Sequence, residues 1–129
     1  MSGFELAYCQ HGGDANKTAI PIKSGAAVVA GTLVKLTNNE ADVATTNGTA
    51  NLGVCTGVDA DGKAVVVIDP QAVYRVTDAT ARALGARLDI ATGARGVTTD
   101  SNHDLIVAGL SPAGAATLVK IAAAKHLLV

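Results

Sequence analysis

From Ala26 onward the chain is a succession of short β-type runs separated by Gly, Asn, Asp and Thr. The segments between these runs contain residues that tolerate a positive φ, and they lie at 37–40, 46–49 and 59–63. Such a pattern is typical of antiparallel hairpins in a barrel or sandwich, and it does not fit alternating strands and long helices. The sequence therefore predicts a mainly β fold.

The second half of the chain repeats the first at a spacing of about 53 to 54 residues. Residues 31–37 fall on 85–91, and residues 65–68 fall on 118–121, in the same order. The apolar pairs between the halves are Val34 with Leu88, Leu36 with Ile90, Val43 with Val97, and Val54 with Val107. This predicts a small β-tulip or barrel built from two similar antiparallel units, which would hide each other's edges.

The core is expected to be thin because the 129 residues are only 2% aromatic and include no Trp. Val, Leu, Ile and Ala must then fill a single core. Each large apolar side chain contributes about 1.5–3 kcal/mol when buried. A chain rich in Ala therefore gains less free energy from burial than its 49% hydrophobic content suggests. Self-association would add buried area.

Residues 1–23 differ from the rest and are predicted to form an N-terminal arm, partly flexible, that precedes a β-rich domain at 24–129. Phe4 and Tyr8 are two of the three aromatic residues in the chain, so the arm either tucks them onto the body or offers them to a partner. Ile20 and Ile22 alternate with polar neighbours and Pro21 suits a sheet edge, so residues 18–23 read equally well as a first strand.

One short helix is predicted at 79–84, capped by Thr77 and Asp78 and ended by Gly85. The tail at 122–129 is compatible with a turn of helix and equally with a strand that pairs with a neighbour.

Charge and hydropathy exclude two classes of partner. The net charge is −1 and the basic residues are scattered, so no nucleic-acid surface is predicted. No apolar run approaches the length of a membrane span, and residues 1–5 lack the basic start of an export signal, so we expect no membrane partner and synthesis in a cytoplasm. Cys9 and Cys55 are expected to stay unpaired there.

No catalytic, cofactor or metal site is predicted. None of His11, His103 and His126 has a second ligand at helical spacing. The segment 99–104 is the best candidate for a hard cation, yet it lacks the order of a calcium loop and reads as a solvated turn. Cys9 has no neighbouring basic group to activate it, and the glycine segments 93–96 and 109–114 read as turns.

Several segments follow one another along the chain in a characteristic order: YCQHGGD at 8–14, Ile20-Pro21, SGAAVVAGTLV at 24–34, Leu52-Gly53-Val54, and the valine-rich run at 64–68. In this order and spacing they resemble the capsid cement protein family of tailed bacteriophages. The similarity extends over about residues 8–121, and the doubled Gly12-Gly13 departs from the family pattern. The resemblance implies the β-tulip fold of lambda-type head decoration proteins.

The resemblance also implies a function. Such a protein is a homotrimer that binds the outer surface of the phage head, contacts the major capsid protein and cements neighbouring capsid subunits, so its location is the virion. The arm would make the capsid contacts, and the residues assigned to it are Phe4, Leu6, Tyr8, Gln10, Ile20 and Ile22.

Two other classes of function remain open. A small-ligand or glycan-binding β-barrel module would need an aromatic-lined pocket, which is hard to build with 2% aromatic residues. A tail or connector subunit is closer to the decoration protein, and it would differ in forming a hexameric ring. An enzyme is the least supported class, because the required constellations of residues are missing.

Overall fold

The computed structural model describes residues 3–78, 80–99, 103–109 and 116–128. Within these residues the chain forms strands joined by turns, followed by a single turn of 3₁₀ helix at Ala123–Lys125. The strands are β1 (Glu5–Cys9), β2 (Lys17–Pro21), β3 (Leu33–Thr37), β4 (Glu40–Val43), β5 (Asn51–Val58), β6 (Lys63–Val67), β7 (Ala72–Thr77), β8 (Arg87–Ile90), β9 (Val97–Thr99), β10 (Leu105–Gly109) and β11 (Ala116–Ile121). The prediction of a mainly β chain is confirmed.

The turns between the hairpins use the residues that the sequence indicated. Asn38 and Asn39 join β3 to β4 with positive φ values of 50° and 64°. Asn47 and Gly62 have φ values of 62° and 78° in the turns before β5 and β6. These are residue types that enter the left-handed region at low cost, so each turn reverses the chain without strain.

The strands form two antiparallel sheets. One has six strands in the order β1-β7-β11-β10-β8-β9, and the other has five in the order β2-β6-β5-β3-β4. Beyond β2, Ile22 makes a single bridge with Ala41, and the Lys23 N–H donates to the Ala41 carbonyl at 2.9 Å. That contact brings the two ends of the five-stranded sheet together without a ladder.

Within the described residues neither sheet is a closed barrel, so this part of the fold prediction is wrong. Closure requires the first and last strands to share a continuous ladder. Over the described residues β1 does not pair with β9, and the region after β2 meets β4 through one isolated bridge only.

Two hydrophobic clusters form the core. The larger cluster lies between the sheets and joins Leu33 and Val54 of one to Leu88 and Leu105 of the other. The smaller cluster belongs to the five-stranded sheet, where Val28 from the preceding loop packs beside Val34 and Val66. Most of these side chains are aliphatic, as the low aromatic content predicted.

Tyr74 of β7 is fully buried and is the largest side chain in the interior. It meets the five-stranded sheet at Gly53 of β5, where a Cβ atom would lie 2.6 Å from the tyrosine hydroxyl and would overlap the Val67 carbonyl. Only glycine permits this approach, because a side chain at position 53 would clash with the Val67 carbonyl of the same sheet and with the Tyr74 hydroxyl of the other sheet.

The helix predicted at 79–84 is wrong over the residues described there, 80–84; residue 79 lies outside the described residues. The Asp78 carboxylate accepts hydrogen bonds from Arg82 Nε at 2.6 Å and from the Thr80 N–H at 3.2 Å. Next to this turn, the Gly85 N–H donates to the Val107 carbonyl at 2.9 Å. The segment is therefore held by β10 and by a buried ion pair, and these contacts outweigh its weak helical propensity.

Over the described residues 122–128, the C-terminal tail contains one of the two predicted alternatives, a turn of helix, and then makes a single bridge where the other alternative was a strand. After the turn at Ala123–Lys125, His126 forms an isolated parallel bridge with Asn51 of β5. The Leu127 N–H then donates to the Asn51 carbonyl at 2.8 Å. The tail thus pairs with its own chain.

We expect Gly53→Ala to destabilise the protein strongly and Gly57→Ala, on the same strand, to be nearly neutral. A methyl group at position 53 overlaps the Val67 carbonyl, whereas nothing lies within 4 Å of a Cβ at position 57. The expected loss in free energy of unfolding is at least about 2 kcal/mol for the first variant and less than about 0.5 kcal/mol for the second. Urea denaturation measures both, and equal losses would contradict the packing described.

Arg82→Met should lower stability far more than Lys23→Met. Arg82 and Asp78 form an ion pair with side chains only 10% and 5% exposed, so removing Arg82 leaves a buried charge at a cost of about 3 kcal/mol. Lys23 pairs with Asp42 at 3.5 Å while remaining 46% exposed, and its loss should cost less than about 1 kcal/mol.

The difference in stability between wild type and Arg82→Met depends on pH. Burial opposes ionisation of Asp78, but the hydrogen bonds from Arg82 and Thr80 outweigh it and hold the pKa of Asp78 below its usual value. A depressed pKa in the folded state stabilises the protein above the unfolded pKa of about 3.9, and this contribution is lost as the pH falls further. Thermal unfolding from pH 7 to pH 3 should therefore show the gap between wild type and Arg82→Met narrowing in acid.

Candidate functional site

The six residues predicted to bind a capsid lie on the edges of two different sheets. Phe4, Leu6, Tyr8 and Gln10 lie on or beside β1, which is the outermost strand of the six-stranded sheet. Ile20 lies in β2, the outermost strand of the five-stranded sheet, and Ile22 follows it. The structure therefore joins the first four residues into one edge and separates them from the two isoleucines.

Phe4 is a core residue in this structure. Its side chain is 3% exposed and belongs to the cluster between the sheets. Its N–H donates to the Gly31 carbonyl at 2.8 Å. Gly3 precedes it with a φ of 97°, and a Cβ there would lie 2.7 Å from the same carbonyl oxygen. The start of the segment is thus tucked onto the body, one of the two alternatives that the sequence left open.

Tyr8 points outward because the ladder between β1 and β7 contains an irregularity. Leu6 faces Tyr74 and Tyr8 faces Val73, so Ala7 is an extra residue between the two paired positions. A bulge of this kind changes which side chain faces the core. Leu6 packs against the core, whereas Tyr8 is 46% exposed.

Polar contacts hold both ends of β1 against the sheet. Arg75 donates to Glu5 at 3.0 Å at one end. At the other end, the Gln10 N–H donates to the Gln71 carbonyl at 3.0 Å and Lys120 Nζ donates to the Gln10 side chain at 2.9 Å. The Gln10 side chain is therefore already engaged with β11, although the residue is exposed.

Ile20 and Ile22 lie beside an apolar groove on the other sheet. Ile20 is buried, and Ile22 packs against the same cluster. The groove is lined in part by Ile20, Leu36, Leu52, Ile68, Leu127 and Leu128. The two leucines of the tail are partly exposed there, and the sequence analysis did not assign them to the candidate surface.

A second group that the sequence did not reveal lies at the end of β1. His11 Nε2 is 2.6 Å from Asp69 Oδ2, and Cys9 Sγ is 3.7 Å from the same oxygen. The Gln71 N–H donates to the other carboxylate oxygen at 3.0 Å. We call Cys9, His11 and Asp69 the β1 end cluster.

Two residues of the β1 end cluster, Asp69 and Cys9, have shifted pKa values. The hydrogen bond from His11, followed by that from the Gln71 N–H, lowers the pKa of Asp69, so the residue is a carboxylate near neutral pH. Burial and then the charge of Asp69 raise the pKa of the Cys9 thiol. Cys9 is therefore a thiol in this setting, and nothing around it generates a nucleophilic thiolate.

Part of this cluster carried a signal in the sequence. Cys9 and His11 are two residues apart and are followed by Gly12-Gly13, which favours a turn that keeps the two side chains close. This pair does not have the ligand spacing expected within a helix, so it was not predicted as a metal site. Asp69 follows 58 residues after His11, and only the pairing of β1 with β7 brings it into contact.

The loop considered for a hard cation is partly described. Residues 100–102 lie outside the described residues, whereas Asp104 is fully buried. Its carboxylate accepts hydrogen bonds from Thr46 Oγ1 at 2.7 Å and from the Asn47 N–H at 2.8 Å. Asp104 therefore fastens the turn before β5 to the start of β10.

The two cysteines are free thiols in different clusters, Cys9 between the sheets and Cys55 within the five-stranded sheet. Burial raises the pKa of Cys55.

Over the described ranges, no helix is long and apolar enough to cross a bilayer.

No protein-family model matches the chain, and no curated protein matches it either.

We expect Phe4→Ala and Tyr8→Ala to differ sharply in stability. Phe4 fills the core, so its truncation should cost about 3–5 kcal/mol, whereas exposed Tyr8 should cost less than about 0.5 kcal/mol. Denaturant unfolding of the two variants measures this difference. A small loss for Phe4→Ala would show that the start of the chain is not part of the folded body.

Proposed function

We propose that this chain is a structural virion protein of a tailed phage. In this proposal it binds the outer surface of the head as a homotrimer and cements neighbouring major capsid subunits. The observation that carries the proposal is the open edge of β1, which presents Tyr8 at the border of the six-stranded sheet. The resemblance of about residues 8–121 to capsid cement proteins supports the same function.

An edge strand is a suitable surface for joining another protein. Among the described residues β1 pairs only with β7, so the backbone groups on its outer side are available for strand addition. The bulge near Tyr8 presents a large amphipathic side chain beside that edge, and tyrosine is enriched at protein interfaces. The capsid contact is accordingly assigned to the outer side of β1.

This assignment refines the arm. Phe4 remains in the core and anchors the strand, while Leu6 stays partly covered. Tyr8 and the exposed backbone make the contact in the proposed complex. Ile20 and Ile22, with the exposed leucines of the tail, belong to a separate apolar groove on the five-stranded sheet.

The two-unit β-tulip architecture is part of the proposal and is supported by strand order. In one sheet β6, β5, β3 and β4 follow one another, and in the other β11, β10, β8 and β9 do so. The sequence repeat relates these strands in that same order. β2 beside β6 and β7 beside β11 extend the correspondence to five strands, as expected from a duplicated unit.

Trimer formation is supported by the composition of the core and surface. The interior is filled mostly by aliphatic side chains, and large apolar residues that include Val29, Val58, Leu127 and Leu128 remain exposed. Association covers such groups and stabilises the folded form through mass action. Three linked capsid contacts would also raise the overall affinity by roughly 10²–10⁴-fold over a single one.

The cementing role is tested by heating phage heads with and without the protein. Undecorated heads should release DNA at a lower temperature than decorated ones, because the protein bridges subunits that internal pressure separates. Equal release temperatures would reject the role. The mass of the free protein in solution is a second test: a trimer supports the proposal, and a hexamer indicates a tail or connector ring.

The β1 contact is tested by Tyr8→Ser, with Leu84→Ser as its matched control. Both residues are exposed apolar side chains, and Leu84 lies in the loop before β8. Tyr8→Ser should reduce binding to undecorated heads at least tenfold while the variant stays folded, and Leu84→Ser should bind as wild type does. Equal binding by both variants would remove Tyr8 from the interface.

A further inference from the structure

We infer that the β1 end cluster is a binding site for a divalent transition metal, with zinc as the preferred ion. Its donors are the Cys9 sulfur, the His11 Nε2 atom and an Asp69 carboxylate oxygen, and these atoms all lie within 4.8 Å of one another. Thiolate, imidazole and carboxylate together form a donor set suited to zinc. The inference stands whether or not the protein decorates a capsid.

The fold places the three donors by means of one ladder. Cys9 ends β1 and pairs with Ala72 at the start of β7. Asp69 lies just before β7, and the turn after Cys9 is closed by the Gly12 N–H, which donates to the Cys9 carbonyl at 3.0 Å. The turn directs His11 back to the same carboxylate. The donors therefore come from two rigidly paired segments, as a preorganised site requires.

The distances from Asp69 Oδ2 to the other two donors are compatible with a tetrahedral site after a small adjustment. Zinc bonds of about 2.0–2.3 Å place neighbouring donors about 3.3–3.6 Å apart. The sulfur-to-oxygen distance of 3.7 Å already matches this spacing. The nitrogen-to-oxygen distance of 2.6 Å is that of a hydrogen bond, so an ion entering between these two atoms must separate them by less than about 1 Å.

Neighbouring groups orient the Asp69 carboxylate and leave the cluster accessible to an ion. The Gln71 N–H holds Asp69 Oδ1 at 3.0 Å and leaves Oδ2 facing the cysteine and the histidine. A pocket lined by Cys9, Gly12, Gly13 and Asp14 opens beside the cluster. Water can occupy the fourth coordination position from this pocket, and the nearby Asp14 adds negative charge that favours a cation.

Metal binding requires a specific exchange of protons. The Cys9 thiol proton passes to the solvent, and the ion takes the place of the proton on His11 Nε2, which also leaves to the solvent. The imidazole stays neutral by taking up one proton from the solvent at Nδ1, so the net release is the single proton of Cys9. In the metal-free structure Nδ1 instead accepts a hydrogen bond from the Gly13 N–H at 3.1 Å. The Gly13 N–H must then turn away from Nδ1. It lies in an exposed turn, and the space beside the preceding Gly12, which has a φ of 87°, is open.

The bound ion would fasten the end of β1 to the loop before β7. Two segments that now share hydrogen bonds would become joined by coordinate bonds. Because the folded chain presents all three donors together and an unfolded chain does not, the ion must raise the unfolding temperature.

The experiment uses the full chain without a histidine tag, reduced and stripped of metal with a chelator. Co²⁺ is titrated into the protein without oxygen, and Zn²⁺ is then added in competition. We expect binding of a single equivalent with a thiolate-to-cobalt charge-transfer band, and a rise in unfolding temperature with Zn²⁺. The amide resonance of Gly13 should shift on zinc addition, because its hydrogen bond to His11 is lost.

Two variants and two matched controls decide the outcome. Cys9→Ser should lose the charge-transfer band, and His11→Ala should bind zinc at least about tenfold more weakly. Cys55→Ser and His103→Ala, which remove the other thiol and an exposed histidine, should bind as wild type does. His11 is exposed, so His11→Ala tests the site even if Cys9→Ser fails to fold.

The inference is overturned by absence of the thiolate band in the wild-type protein, or by its persistence in Cys9→Ser. It is also overturned if zinc raises the unfolding temperature of His11→Ala as much as that of wild type. In those cases the three residues only form hydrogen bonds between the end of β1 and the loop before β7, and they bind no metal.

Discussion

The contact between Tyr74 and Gly53 determines how closely the two sheets pack. Tyr74 is the largest buried side chain, and the missing side chain at position 53 lets its hydroxyl approach the backbone of the opposite sheet. In a chain with so few aromatic residues, the remaining core consists mostly of Leu, Val and Ala, which fill space only when the backbones are close. The spacing set at this point therefore allows a thin core to remain well packed.

The strand that carries Tyr74 also positions both candidate sites. Leu6 faces Tyr74 across the ladder, and Cys9 faces Ala72. The first pairing holds β1 on the sheet with its outer edge open, and the second brings Cys9 beside Asp69. The proposed capsid contact and the inferred metal site are thus two consequences of one register between β1 and β7.

Buried carboxylates organise the loops of this weakly charged protein. Asp69, Asp78 and Asp104 are all at least nine-tenths buried, and each accepts a hydrogen bond from a backbone N–H. Burial of a charge is costly unless such partners are present. Each carboxylate also contacts a side chain of another residue: His11, Arg82 and Thr46, respectively. These contacts define loop conformations that aliphatic packing alone leaves open.

The sequence by itself determined the mainly β class and the turn positions. Alternating apolar residues and left-handed Asn and Gly act locally, within a few residues, so they can be read without knowing the fold. Tertiary structure decided the rest. It replaced the helix after Asp78 with a segment bonded to Arg82 and β10, because those contacts outweigh a weak local preference. It buried Phe4, exposed Tyr8, and brought Asp69 to Cys9 and His11. These outcomes depend on pairing between β1 and β7, which are distant in the chain, and no local pattern near residue 9 or residue 69 encodes that register.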